Sequence, residues 1–290
     1  MNRQVPNPKY TIVGDGKVAR HFAHYFDLVG IKYNCWNRKQ SPIELKQSIH
    51  NSDVILLLIT DDAIKEFINQ HNLNKKNLVH FSGSLSLSDA YGCHPLMTFG
   101  HELYDLTGYT SIPFVCDNSV DFKSLFPQLK NQSFHINNES KAYYHALCVM
   151  AGNFTQTLMR ETAKQLNQKL NLPQDILFPY LLQSTRNFVN DPEQSATGPI
   201  QRGDFATINN HLQVMYGDPL DGIYRSFLKF SNVDIPSFTR ETPSLLRRQE
   251  PHQACYDLKK NTEYLGDSCL NRNDEVTFGN NHNYITEAAQ

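Results

Sequence analysis

The chain has 290 residues, 40% of them hydrophobic and 19% charged, with 17 Phe and 14 Tyr. A sizeable core can form, and at roughly 100–200 residues per domain the length suggests two domains. Lys+Arg 27 against Asp+Glu 29 leave a net charge of -2, which argues against a protein that grips nucleic acid or an anionic membrane by bulk charge. No apolar run is long enough to span a bilayer. The opening Met1-Asn2-Arg3-Gln4-Val5-Pro6 lacks the apolar core of a signal peptide, so a cytoplasmic, membrane-free protein is expected. Cys35, Cys93, Cys116, Cys148, Cys255 and Cys269 form no C-x-x-C pair and read as free thiols. The His residues show no H-E-x-x-H or comparable spacing, so no metal site is expected.

In chain order, a β-prone run at 10–13 ends in Gly14. A helix is predicted over 20–28, with Phe22, Phe26 and Val29 spaced for one face. Further strands are predicted at 31–36, 53–60, 78–82, 110–116 and 133–136. Continuous β-rich runs between helical patterns imply a parallel sheet covered on both faces, hence a doubly wound α/β domain. From about 139 the pattern turns helical, over 140–170 and 175–189, breaks at Asp191-Pro192, and resumes over 206–215 and 219–231. Beyond about 239 the chain is polar and aperiodic, a composition that buries too little apolar area to offset its ordering entropy. The expected division is an α/β domain over 1–137, an all-α domain over 138–238, and a polar tail over 239–290.

Gly14-Asp15-Gly16-Lys17-Val18-Ala19 fits G-x-G-x-x-A between a predicted strand and a predicted helix. In that context Gly14 permits the tight turn, Gly16 lets backbone approach a pyrophosphate, and Ala19 allows close helix–strand packing. The helix N-terminus offers free N–H groups and the positive end of its dipole to the phosphates. An NAD site normally places an acid at the end of the second strand; here Cys35-Trp36-Asn37-Arg38-Lys39 brings none until Glu44. Arg38 and Lys39 suit a 2′-phosphate instead, so NADP(H) is the expected cofactor. Thr60, Asp61 and Asp62 follow the third strand, where a cofactor crosses the sheet, although Asp62 equally fits a helix N-cap. Ser82 and Gly83, after the fourth strand, are expected near the nicotinamide end. His94, in His94-Pro95-Leu96, either contacts cofactor or substrate or marks a structural turn.

The phosphate loop, Gly92-Cys93-His94-Pro95-Leu96, the segment 145–153 and Thr197-Gly198-Pro199-Ile200-Gln201-Arg202-Gly203-Asp204 together resemble a family. Its members pair a Rossmann-like domain with a helical domain like that of 6-phosphogluconate dehydrogenase. Within that group the chain is most similar to the alternative ketopantoate reductases of some bacteria, over about residues 9–235. Pyrroline-5-carboxylate reductases are more distant relatives. Ordinary ketopantoate reductases carry a Lys on the long interdomain helix and an Asn eight residues later. Asn153 matches the Asn, whereas His145 stands at the Lys position. The resemblance implies His145 as general acid and Asn153 as the group orienting the substrate, with His94, Thr197 and Arg202 binding it. Two structural readings stay open: His145 satisfied at a domain interface, and Asp204 capping the next helix or pairing with Arg202. The function implied is NADPH-dependent reduction of a small 2-oxo acid, 2-dehydropantoate above all, by a homodimer. An imine reductase and a non-catalytic NADP-binding regulator are the alternatives.

Overall fold

The computed structural model describes residues 7–73 and 77–233. The first strand, β1 (Tyr10–Val13), enters α1 (Lys17–Leu28), and then β2 (Tyr33–Trp36), α2 (Pro42–His50), β3 (Val54–Leu57), α3 (Asp61–Gln70) and β4 (Asn77–His80) alternate. After them come β5 (Tyr91–Pro95), α4 (Leu106–Thr110), β6 (Phe114–Asp117), α5 (Phe122–Leu125) and β7 (Ser133–Ile136). The strands form a seven-stranded sheet in the order β2-β1-β3-β4-β5-β6-β7. β2, β1, β3, β4 and β5 run parallel, whereas β6 pairs antiparallel with β5 and parallel with β7. The sheet is Rossmann-like and mostly parallel rather than wholly so.

Side-chain alternation explains how both faces are covered. Tyr10, Ile12, Val54, Leu56 and Val79 bury into a core that includes Phe22 and Phe26 of α1. Val13, Ile55, Leu57 and Leu78 bury on the opposite face with Leu45 of α2 and Ile64 and Ile68 of α3. At roughly 1.5–3 kcal/mol for each fully buried large side chain, these two layers dominate the stability of the sheet.

The helical part begins with α6 (Lys141–Val149), continues through a π-helical turn, Met150–Phe154, into α7 (Thr155–Leu170), and then α8 (Phe178–Asn190). Three more helices complete it: α9 (Pro199–Arg202), α10 (Phe205–Val214) and α11 (Asp221–Phe230). The chain divides into two compact units between Ser195 and Ala196. The change of character near residue 137 therefore falls inside the first unit, which keeps α6, α7 and α8 with the sheet. In the second unit, Ile208, Leu212 and Leu228 bury against Ile200 and Tyr224. No helix among the described residues is long and apolar enough to cross a membrane. Cys255, Cys269 and the polar tail lie outside the described residues.

Two sequence expectations change here. Tyr91–Pro95 is a strand, so His94 stands in the sheet rather than at a turn. Its Gly and Pro mask the strand signal, and pairing of Cys93 with Cys116 and Pro95 with Phe114 supplies what propensity does not. The strand expected over 110–116 begins late, because Asp105 caps a short helix by accepting from the Gly108 N–H at 2.7 Å.

Candidate active site

In a doubly wound sheet the ligand crevice opens at the carboxyl ends of the strands, where the strand order reverses. Here that switch lies between β1 and β3, and the residues after β1 to β5 meet in one cleft of about 900 Å³. Gly14, Asp15, Gly16, Lys17 and Val18 line its start, Trp36, Asn37 and Arg38 its side, Thr60 and Asp61 its middle, and Ser82 and His94 its far end.

Gly14 has a φ of +128°, and a β-carbon there would stand 2.2 Å from the Leu58 carbonyl oxygen. Only glycine fits. Its N–H donates to the Trp36 carbonyl at 2.8 Å, tying the loop to β2. Gly16 precedes α1 with no side-chain cap, and the space beside its α-carbon is open to 4 Å. Uncapped first-turn N–H groups facing open space are what an anion needs. Ala19 is buried against the sheet.

The loop after β2 is held by its own hydrogen bonds. The Trp36 indole N–H donates to the Ser41 carbonyl, the Asn37 N–H to the Gln40 side chain, and the Lys39 N–H to the Asn37 side chain. Glu44, the first acid after β2, accepts from the Ser41 N–H at 2.8 Å while its own N–H donates to Ser41 Oγ. That reciprocal cap keeps the carboxylate at its own helix. Arg38 lines the cleft, and among the described residues no acid forms an ion pair with it. Lys39 lies 3.9 Å from Asp15, both exposed, a pair of little energetic weight.

Asp61 accepts from Ser82 Oγ at 2.6 Å, bridging the loops after β3 and β4. Asp62 is neither cap nor cleft residue: Thr60 precedes the helix, and Asp62 sits exposed in its first turn. Gly83 is a second tight point of the site. A β-carbon on it would stand 2.6 Å from His145 Cδ2 and 3.2 Å from both Cδ2 and Nε2 of His94. The two imidazoles therefore converge on a bare α-carbon, their centroids 5.9 Å apart and their planes near perpendicular. His94 Nδ1 lies 2.8 Å from the Tyr144 hydroxyl. Burial, with the neighbouring His145 and Lys141, pushes the His94 pKa down to about 4. Burial and contact with Cys148 push the Tyr144 phenol up, so it stays protonated.

Behind the pair, Lys141 Nζ and Asp117 Oδ1 are 2.7 Å apart, both residues 3% exposed. Asp117 Oδ2 also accepts from the Gly92 N–H at 2.7 Å. This buried pair anchors the first turn of α6 to β5 and β6, one turn ahead of His145. His80, at the end of β4, is fully buried with no partner for either ring nitrogen among the described residues.

Asn153 departs from expectation. A regular helix would set it on a ridge with His145 and Val149, but it falls within the π-helical turn. Such a turn adds roughly one residue to the helix, rotating the residues beyond it out of α register. Asn153 is exposed and His145 half-buried. Thr197 and Arg202 belong to the second unit and are exposed, flanking and ending α9. Asp204 is a cap: it accepts from Thr207 Oγ1 at 2.8 Å and from the Thr207 N–H at 3.1 Å. Those bonds hold its carboxyl below the usual range.

Tyr144, Lys141, Asp117 and His80 carry no sequence signal strong enough to single them out. The usable signals are the Tyr144-His145 adjacency and the one-turn spacing of Lys141 and His145. Asp117 and His80 read as ordinary strand-end residues.

A domain of unknown function, DUF2520, matches residues 119–229. No curated protein matches the chain. Among solved structures, a Bacteroides fragilis protein assigned as an NADP oxidoreductase is 23% identical, with a TM-score of 0.60 over 78% of this chain and 97% of its own. A Thermotoga maritima protein is 22% identical, with a TM-score of 0.60 over 77% and 96%. The pyrroline carboxylate reductase of Plasmodium falciparum, solved with NADP bound, is 11% identical, with a TM-score of 0.51 over 78% and 96%. At these identities the likeness establishes the fold.

Proposed function

We propose that the chain is an NADPH-dependent reductase of a small 2-oxo acid, with 2-dehydropantoate, reduced to (R)-pantoate on the route to pantothenate and coenzyme A, as its substrate. One observation carries the reading: His94 and His145 meet over Gly83 at the far end of a cleft that starts at the phosphate loop and passes Arg38. In this reading the first-turn N–H groups after Gly16 and the Lys17 side chain hold the pyrophosphate, and Arg38, seconded by Lys39, takes the 2′-phosphate. Thr60, Asp61, Ser82 and Gly83 border the rest of the cofactor, whose nicotinamide supplies the hydride when bound. His145 donates the proton that completes the alcohol, since an imidazole can both carry and release a proton. Asn153 orients the substrate, and the helical part pairs with that of a second copy, as the resemblance to the 6-phosphogluconate dehydrogenase type implies.

Imine reduction is the second reading, favoured by the shared fold of the Plasmodium reductase. NADPH oxidation measured side by side with 2-dehydropantoate and pyrroline-5-carboxylate separates the two. We expect turnover of the oxo acid and loss of about 100-fold in kcat for His145→Ala, the lower end of general acid contributions. Turnover of the imine alone overturns the substrate, and full activity of the variant overturns the role of His145. Tight NADPH binding with no turnover of any carbonyl or imine would instead assign a non-catalytic regulator.

A further inference from the structure

We propose that His94 is a further catalytic residue, a neutral imidazole whose Nδ1 accepts from the Tyr144 hydroxyl and whose Nε2–H donates to the oxygen of the substrate carbonyl. The proposal rests on the reductase reading and decides between its two substrate classes.

The geometry fixes which ring nitrogen is which. Tyr144 lies 2.8 Å from Nδ1, and Nε2 lies on the Gly83 side of the ring, within the residue that lines the end of the cleft. Tyr144 also contacts Cys148, one turn along α6. A phenol is a much better donor than a thiol, and an imidazole nitrogen a much better acceptor than sulfur. The phenolic proton therefore goes to Nδ1, the thiol can donate to the phenol oxygen, and the remaining proton of the neutral ring stands on Nε2. The groups facing His94 agree with a neutral ring. Tyr144, His145 and Lys141 come from α6 and Asp61 from α3; burial and the two α6 bases disfavour its protonation more than Asp61 favours it.

A donor at Nε2 selects the substrate. A ketone oxygen accepts hydrogen bonds and accepts them more strongly as it gains negative charge, so an N–H placed on it stabilises the transition state more than the ground state. The reactive form of an imine is the iminium, whose nitrogen carries a proton and has no lone pair to offer. Against that group Nε2–H is a donor facing a donor. His94 in this tautomer is thus built for C=O, while the opposite tautomer, with Tyr144 accepting, would suit C=N. His94 transfers no proton and stays neutral throughout; the proton of the product comes from His145.

The test has an arm that needs no turnover. Nitrogen-15 NMR of the full chain with labelled histidine, assigned by His94→Gln, reports the protonation site of His94 directly. We expect the Nε2–H tautomer across pH 6 to 8, and in Tyr144→Phe a mixture of tautomers, since nothing then holds Nδ1. In NADPH oxidation with an oxo acid, His94→Leu is expected to lower kcat by about 100-fold, the cost of one oxyanion donor. Tyr144→Phe should lower it about tenfold, the worth of one net hydrogen bond, with the NADPH KM unchanged in both. An Nδ1–H tautomer, an imidazolium at pH 7, or undiminished kcat in His94→Leu overturns the proposal. Oxidation of NADPH with neither substrate class overturns the reductase reading and the substrate contact with it. The tautomer arm judges the Tyr144–His94 arrangement either way.

Discussion

In the proposed reading, Arg38 is the position that sets the choice between two nearly identical cofactors. The loop from Asn37 to Ser41 is held by its own hydrogen bonds, and the first acid after β2 is spent capping α2. A guanidinium presented there finds a bidentate partner in a 2′-phosphate and none in a ribose hydroxyl. Arg38→Glu should therefore weaken NADPH binding by about 1.5–3 kcal/mol, the range for a hydrogen bond to a charged group, and leave NADH binding within about tenfold. Fluorescence titration of both cofactors on both proteins checks this, and equal losses would remove the 2′-phosphate from Arg38. Much of this is legible in the sequence: the glycine spacing and the absence of an acid after β2 need no coordinates. Contact between residues far apart in the chain is not. Nothing local to Gly83 says that two imidazoles press on it, and nothing local to Tyr144 says that it holds His94.

At the scale of elements, α6 is fastened to the sheet through charge buried in the interior. Removing one partner of the Lys141–Asp117 pair would strand the other in a dry site, so the pair is a constraint on where α6 lies more than a source of stability. Burial first, and then the Lys141 charge, push the His80 pKa down to about 4, with Asp117 and Asp61 opposing. In the unfolded chain that imidazole protonates near 6.5. The folded state thus binds fewer protons between those values, and stability present above pH 6.5 drains as pH falls toward 4. Chemical denaturation at pH 7 and pH 4.5 should show His80→Leu losing roughly 2–3 kcal/mol less than the unsubstituted chain across that interval. Parallel losses in the two proteins would mean that water or a shifted side chain satisfies His80. Periodicity finds α1, the long helical stretch from residue 140, α8, α10 and α11, but not α2 or α3, nor the π-helical turn that rotates Asn153, nor β5, whose Gly92 and Pro95 disguise a strand made by its neighbours.

For the whole molecule the informative surface is apolar. Tyr143, Leu147, Met150 and Phe154 succeed one another at steps of four, three and four residues, and are 71%, 47%, 57% and 62% exposed. Their spacing is that of a helix-packing seam, in which such side chains interlock with a facing helix. α8 adds Phe178, Leu182 and Phe188, exposed as well. Soluble monomers seldom leave contiguous apolar stripes of this kind in water. We propose a second copy of the chain as the occupant: a two-fold axis would set identical stripes against each other, and the balanced net charge of -2 raises little repulsion between copies. Sedimentation equilibrium of the full chain should then give a dimer. Leu147→Glu with Phe154→Glu should shift it toward monomer, because two carboxylates would have to be desolvated in the seam at several kcal/mol each. Both substitutions lie on exposed positions of α6 and the π-helical turn, so circular dichroism should show the helix content retained. A monomer in the unsubstituted chain would rule out self-association through this stripe.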